Sequence, residues 1–202
     1  MIDFKRKFIR PAVLLAALSA APLLLSEINC GISQALADST KKLTEDELFE
    51  KLSNAKTEFE GRDTEFQIWE YWTAQAPSDE IRAKLTRGMQ KRRESDFPWS
   101  EDLFDEVIKA APEYAEGWNQ RGFVRFLRGN LEGALSDLEK TVELEPRHFG
   151  ALSGMYHVLR LLNRSEAAIR SLHMAVTIHP WLKERNDLPE KLRPKKIPVQ
   201  EL

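Results

Sequence analysis

The residues best suited to acid–base or metal chemistry are four histidines, His148, His157, His173 and His179, all late in the chain. A helical zinc site needs ligands one turn apart, as in an HExxH pair. No two of these histidines are four residues apart, and no cysteine completes a set. Ser153, in Gly150-Ala-Leu-Ser153-Gly154, is only superficially similar to the serine of a nucleophile elbow. That motif needs a strand before it, and here the pattern is helical. Glu143 and Glu145 fall on opposite sides of a helix, so they cannot face each other across a substrate. No glycine-rich phosphate loop occurs. The expectation is no catalytic residue, no metal and no cofactor. Trp69, Trp72, Trp99 and Trp118 would suit a ligand cage, but their spacing is that of residues packed between helices.

Composition narrows the class further. The 202 residues carry 30 Lys plus Arg against 32 Asp plus Glu, a net charge of −2, which gives no support to nucleic-acid binding. The length suits one large domain or two small ones. A single cysteine, Cys30, excludes a disulfide framework.

The first residues read as an address. Lys5, Arg6, Lys7 and Arg10 precede an apolar run from Ala12 to Leu25. This run is shorter than the roughly 20 residues of a membrane span and fits a secretory signal. Ala35 and Ala37 supply the small side chains of a cleavage site, which makes 1–37 a signal peptide, 38–43 a linker and Asp38 the first mature residue. Gly31-Ile32-Ser33 is a weaker, earlier site. Lipidation at Cys30 is disfavoured by Asn29 and Glu27 beside it. An uncleaved segment would instead tether the chain to the inner membrane, facing the periplasm. Residues 1–37 carry a net +2 and the remainder a net −4, so the near-neutral total sums two unlike pieces. Cleavage would also remove the lone thiol, in keeping with an oxidising compartment.

The remainder is helical in pattern and has a fixed period. Pro112, Pro146 and Pro180 recur every 34 residues, and Pro77 precedes them by 35. In the clearest copy, from Ala115 to His148, Trp118, Gly122, Ala134, Leu138 and Pro146 mark the unit. One period later come Leu152, Ala168, Leu172 and Pro180; one earlier, Gly88, Phe104 and Pro112. A divergent copy fits Phe49, Leu52, Trp69 and Pro77. Small residues let two helices approach, large ones fill the space beside them, and proline ends the second helix. Gly129-Asn130 and Asn163-Arg-Ser165 mark turns, Pro98 a first helical position, and Thr44-Glu-Asp-Glu47 a capping box.

These registered positions resemble the tetratricopeptide repeat, a 34-residue helix–turn–helix unit. The resemblance covers 44–180, in repeats at about 46–79, 81–114, 115–148 and 149–182, with a cap turn and a mobile, proline-rich basic tail over 181–202. It implies an all-α fold, a right-handed superhelical solenoid of about four helix pairs. Arg87 and Arg121 depart from it where leucine is usual, and Lys84 where tryptophan is. Histidines are expected at repeat boundaries or on solvated faces. The stretches Tyr114–Gly122 and Leu144–Gly154 are similar to small exported tetratricopeptide proteins of the Gram-negative envelope, which implies a non-enzymatic periplasmic scaffold.

The family's concave groove, carried over by register, gives Arg82, Leu85, Met89, Arg92 and Arg93 from one copy. The next gives Glu116, Asn119, Phe123, Phe126 and Leu127, and the last Ser153, His157, Arg160 and Leu161. Apolar residues lie centrally with arginines at the flanks, which suits an apolar peptide bearing an acidic group. The expected partner is a protein or peptide, with no nucleic acid, and membrane contact only through an uncleaved N-terminus. The alternatives are an inner-membrane-tethered assembly factor and, more remotely, an envelope hydrolase.

Overall fold

The computed structural model describes residues 42–194, so Cys30 and the cleavage residues Ala35 and Ala37 lie outside the described residues. Eight helices are described: α1 (Glu45–Asn54), α2 (Glu58–Ala74), α3 (Asp79–Arg93), α4 (Phe97–Ala110), α5 (Ala115–Leu127), α6 (Leu131–Leu144), α7 (Phe149–Leu161) and α8 (Ser165–Ile178). Two short 3-10 turns follow, Lys183–Asp187 and Glu190–Leu192. No described helix is long and apolar enough to cross a membrane.

The local rules explain where helices begin and end. Side chains of Thr44, Thr57, Ser78, Asp96 and Asn130 cap helix starts, with a full capping box at Thr44 and Glu47. α4, α6 and α8 each end two residues before a proline of the 34-residue series. Between the helices of a pair, Ser95, Gly129 and Asn163 take left-handed φ values of 63°, 79° and 60°, again one period apart. Glycine adopts this conformation freely and asparagine tolerates it, while serine is the less usual choice.

Helices α3–α8 stack consecutively as three pairs. Gly88 receives the buried Phe104 ring, and Gly122 lies against Leu138 and Ala134. Ala134, Leu138, Leu152, Ala168 and Leu172 are buried at the positions the register assigns to the core. Pro112 and Pro146 are exposed and Pro180 partly so; they act as helix terminators, not as filling. Two departures from the pattern acquire partners. Arg121 makes a bidentate contact with buried Asp137, at 2.7 and 2.9 Å, and reaches Asp105 at 2.6 Å. Arg87 lies over the Trp99 ring, 4.9 Å from its centroid.

The register misplaces Trp118. It is partly exposed: its indole N–H donates to the Pro112 carbonyl at 2.8 Å, and Arg121 covers one face.

The larger surprise is α2. It pairs with α1 but does not continue the stack onto α3. It lies instead across the turns that join successive repeats. Tyr114 donates its hydroxyl to the Trp72 and Thr73 carbonyls at 3.0 and 3.1 Å. Trp72 stacks on His148 at 4.1 Å and 11°. His179 bonds Glu65 at 3.2 Å, and Gly61 faces Trp181. Arg147, reaching Asp46 at 2.7 Å, fastens α1 to the same edge. The physical reason is apolar surface. Only Leu85 and Gly88 of α3 are buried, and its outer face presents Arg82, Thr86, Arg87 and Gln90 to solvent. Such a face ends a stack well and continues it poorly. Leu48, Phe49, Leu52, Ile68 and Trp72 find their cover against Phe149, Leu152 and the C-terminal cap.

That cap is more ordered than its prolines suggest. Leu182 and Leu188 are buried, and Arg193 donates to the Leu188 and Asn186 carbonyls at 2.9 and 2.7 Å. Residues up to Arg193, within the stretch expected to be a mobile tail, are thus tied to the cap; the residues after 194 lie outside the described residues.

Candidate functional site: a concave cleft walled by α2

The first helices of the three stacked pairs, α3, α5 and α7, face one concavity of about 740 Å³, within the range of ligand clefts. Met89, Arg92, Glu116, Asn119, Phe123, Phe126, Ser153 and His157, all placed there by register, line it. Arg62, Glu65, Trp69 and Thr73 form its second wall, and Trp181–Glu184 close one end. Trp69, assigned by register to a repeat core, is thus a half-buried wall residue, because α2 turns it toward the cleft.

Other groove assignments need correction. Leu85 is fully buried, since it faces α4 and not the concavity. Arg82 is exposed and paired with Asp79 outside the cleft. Arg93 is exposed and does not line the cleft. Arg160 is drawn away, donating to the Tyr156 hydroxyl at 2.9 Å. Leu127 and Leu161 are exposed and also lie outside the lining.

Glu116 lines the floor yet is 1% exposed, so a partner meets little of it. Its carboxylate accepts from Asn119 at 3.2 Å, from His148 at 3.1 Å and from Gln120 at 2.5 Å. His148 is fully buried, not solvated: Nδ1 accepts from the Ala151 amide at 3.0 Å, which assigns its proton to Nε2. His179 repeats the arrangement, with Nδ1 accepting from the Trp181 amide and Nε2 facing Glu65. Burial alone would raise the Glu65 carboxyl. The His179 hydrogen bond and nearby Arg62 prevail and hold it below its ordinary value. His157 sits 3.3 Å from Glu184, whose carboxyl is likewise lowered against burial. His173 is exposed on α8. Three of the four histidines therefore join elements through a glutamate. Among the described residues no three His, Cys, Asp or Glu side chains converge as metal ligands would.

Arg92 is different. Its guanidinium donates one N–H to the Gln120 side-chain carbonyl and lies over the Phe123 ring, 4.6 Å from the centroid. Burial lowers its pKa, with Glu116 opposing and Arg93 assisting. Among the described residues no carboxylate lies within ion-pair distance of it, whereas Arg62 has Glu58, His157 has Glu184 and Lys183 has Glu184.

The sequence missed the α2 wall, Phe149, Gln120 and the Trp181–Glu184 end. A signal for the wall exists: Arg62, Glu65, Trp69 and Thr73 recur at steps of three and four on one helix face. Nothing in that spacing says which surface the face will meet.

No protein-family model matches the chain. It is 28% identical over 172 residues to a TPR repeat-containing protein of Rhizobium etli, covering 84% of this chain and 83% of the relative. It is 37% identical over 65 residues to the tetratricopeptide repeat protein 36 homolog of Nematostella vectensis, covering 32% of this chain and 36% of that one. Among solved structures, the first TPR domain of Spaghetti, bound to the HSP90 peptide SRMEEVD, superposes with a TM-score of 0.54 at 19% identity, covering 58% of this chain and 93% of that one. The TPR2B domain of yeast Sti1, in complex with Hsp70, gives 0.52 at 21%, covering 57% and 94%. The fold is that of a tetratricopeptide-repeat solenoid, and both relatives are named for that repeat.

Proposed function

We propose that this protein is an exported, non-enzymatic scaffold that acts in the periplasm and holds an extended segment of a protein partner in the α2-walled cleft. Through that contact it supports assembly or integrity of the cell envelope. The observation that carries the reading is the cleft itself, where Phe123, Phe126 and Trp69 lie beside Arg92 and other polar groups in an open concavity. Related solenoids with this fold hold peptides of HSP90, as Spaghetti does. Location rests on the basic, apolar and small-residue order of residues 1–37.

Site-specific photocrosslinking in cells tests it. A crosslinker at Phe123, in the cleft, is expected to give a discrete adduct with an envelope protein. One at exposed Met174 on α8 is expected to give none. The same adducts from both positions would refute the cleft as the docking site. Intact mass of the native chain tests the address: a start at Asp38 agrees with export and cleavage, and an uncut Met1 start favours the membrane-tethered alternative.

A further inference from the structure

The cleft is amphipathic in one specific respect. Its apolar lining continues beyond the concavity onto both lips. On α2, Phe59 and Phe66 are 79% and 60% exposed and share the face that carries Arg62 and Trp69. On the first helices, Phe123 in the lining is 44% exposed, and Leu127 and Leu161 at the ends of α5 and α7 are exposed outside it. A segment that fills the cleft and covers the lips takes water away from every group in the lining. Of the cationic side chains in the lining, Arg62 pairs with Glu58, and His157 and Lys183 share Glu184; among the described residues Arg92 has no carboxylate within ion-pair distance. Glu116 acts on Arg92 only through space: Asn119, Gln120 and His148 take its hydrogen bonds, and Gln120 bridges it to the guanidinium.

Guanidinium stays charged at all working pH values, so covering it without an anion is unfavourable. A carboxylate removes that cost and gains charge-assisted hydrogen bonds. The Gln120 carbonyl and the Phe123 ring hold Arg92 in place, so little is lost in ordering it.

The three first helices are one interaxial step apart, about 8–10 Å each, so the cleft is roughly 16–20 Å long. An extended strand of about five or six residues spans that length.

Resting on the reading of the cleft as the partner site, we propose that its occupant is an extended, internal peptide segment in which one Asp or Glu side chain meets Arg92, next to bulky apolar residues that cover Phe123 and Trp69. The carboxylate is internal because α2, α5 and α7 each leave exposed apolar side chains outside the lining, which more chain on either side of the acid can cover.

Selection from random 12-residue peptides tests this, using purified protein beginning at Asp38. One library displays the peptides internally and a second displays them with a free C-terminus. Internal peptides with one fixed acidic position beside an aromatic or large aliphatic residue are expected. Binding of a selected peptide is expected to weaken about tenfold or more with Arg92→Gln, the effect of a lost charge-assisted contact. Selection on Arg92→Glu is expected to replace the acid with Lys or Arg. Circular dichroism and melting of both variants confirm that they fold, and Arg92→Lys, which keeps the charge, is expected to keep the acidic preference. Apolar peptides that need Phe123 but show no acidic position would overturn the inference and leave the cleft reading intact. An acidic preference that persists in Arg92→Glu would overturn it as well. Enrichment from the free C-terminal library alone would overturn the internal segment. Enrichment of nothing, or of peptides indifferent to Phe123→Ala, would sink the cleft reading and the inference together.

Discussion

Replacing Gly61 with alanine tests whether α2 docks on the C-terminal cap. A Cβ at Gly61 would lie 2.5 Å from Cγ and Cδ1 of Trp181 and 2.9 Å from its Cβ. Carbon atoms rest about 3.5–4.0 Å apart, so Trp181 must retreat by about 1 Å. A ring rotation does not suffice, because the Trp181 Cβ is itself too close. The backbone must follow, and with it the Trp181 amide that bonds His179 Nδ1 at 3.3 Å. Such overpacking costs about 1–3 kcal/mol. Against this, leaving glycine in a helix interior gains about 0.5–1 kcal/mol. The balance is a net loss of about 1 kcal/mol, which lowers the melting temperature by roughly 2–4 °C for a domain of this size. Gly61→Leu should lower it further. Thermal melts followed by circular dichroism give the number, and amide exchange along Glu58–Ala74 gives the location, with faster exchange expected in both variants. A melting temperature raised by Gly61→Ala, with exchange unchanged, would refute the docking, because propensity alone would then be acting.

Three further outcomes follow from the same contacts. Phe104→Ala should cost about 3–5 kcal/mol, while Trp118→Ala, at a partly exposed ring, should cost about 1–2 in the same urea titration. Asp137→Ala removes the carboxylate shared by Arg121 and Arg125 and should cost about 3–5 kcal/mol, with Asp137→Asn recovering only part of it. Glu65 and Glu101 are held below the ordinary carboxylate range despite burial, by His179 and by Arg125 with Arg128 respectively. The unfolded chain therefore binds these protons more readily, so their contribution is complete above about pH 4.3 and is lost as pH falls through the lower native values. Acid unfolding of Glu65→Gln should start from lower stability and show a shallower pH slope below that point.

Much of the solenoid was legible because it is written in local rules that repeat. Proline stops a helix wherever it stands, and a small residue at a helix crossing is needed wherever two helices touch. Pro112, Pro146 and Pro180, with Gly88, Gly122 and Ala168, therefore announce the pairs without reference to anything distant. The same rules mark the turns, although Ser95 hid among ordinary residues because serine is an uncommon choice for a left-handed position. Residues assigned to the groove line the cleft where the backbone position alone decides the direction, as at Asn119 and Phe123. They failed where a side chain had a better neighbour: Arg160 goes to Tyr156, and Leu85 to the core.

What the sequence by itself determined is the helical period, the stacking of α3 to α8 and some of the residues on the first helices that line the concavity, Asn119 and Phe123 among them. What only the tertiary structure decided is the place of α1 and α2, and so the second wall of the cleft and the isolation of Arg92. The first kind of fact depends on neighbours within one repeat, at separations the chain's own geometry fixes. The second depends on a competition between surfaces far apart in sequence. The polar outer face of α3 offers α2 little to bury against, while the inter-repeat turns offer His148, Phe149 and Trp181. The outcome is a difference in buried apolar surface, and no spacing along the chain encodes that difference.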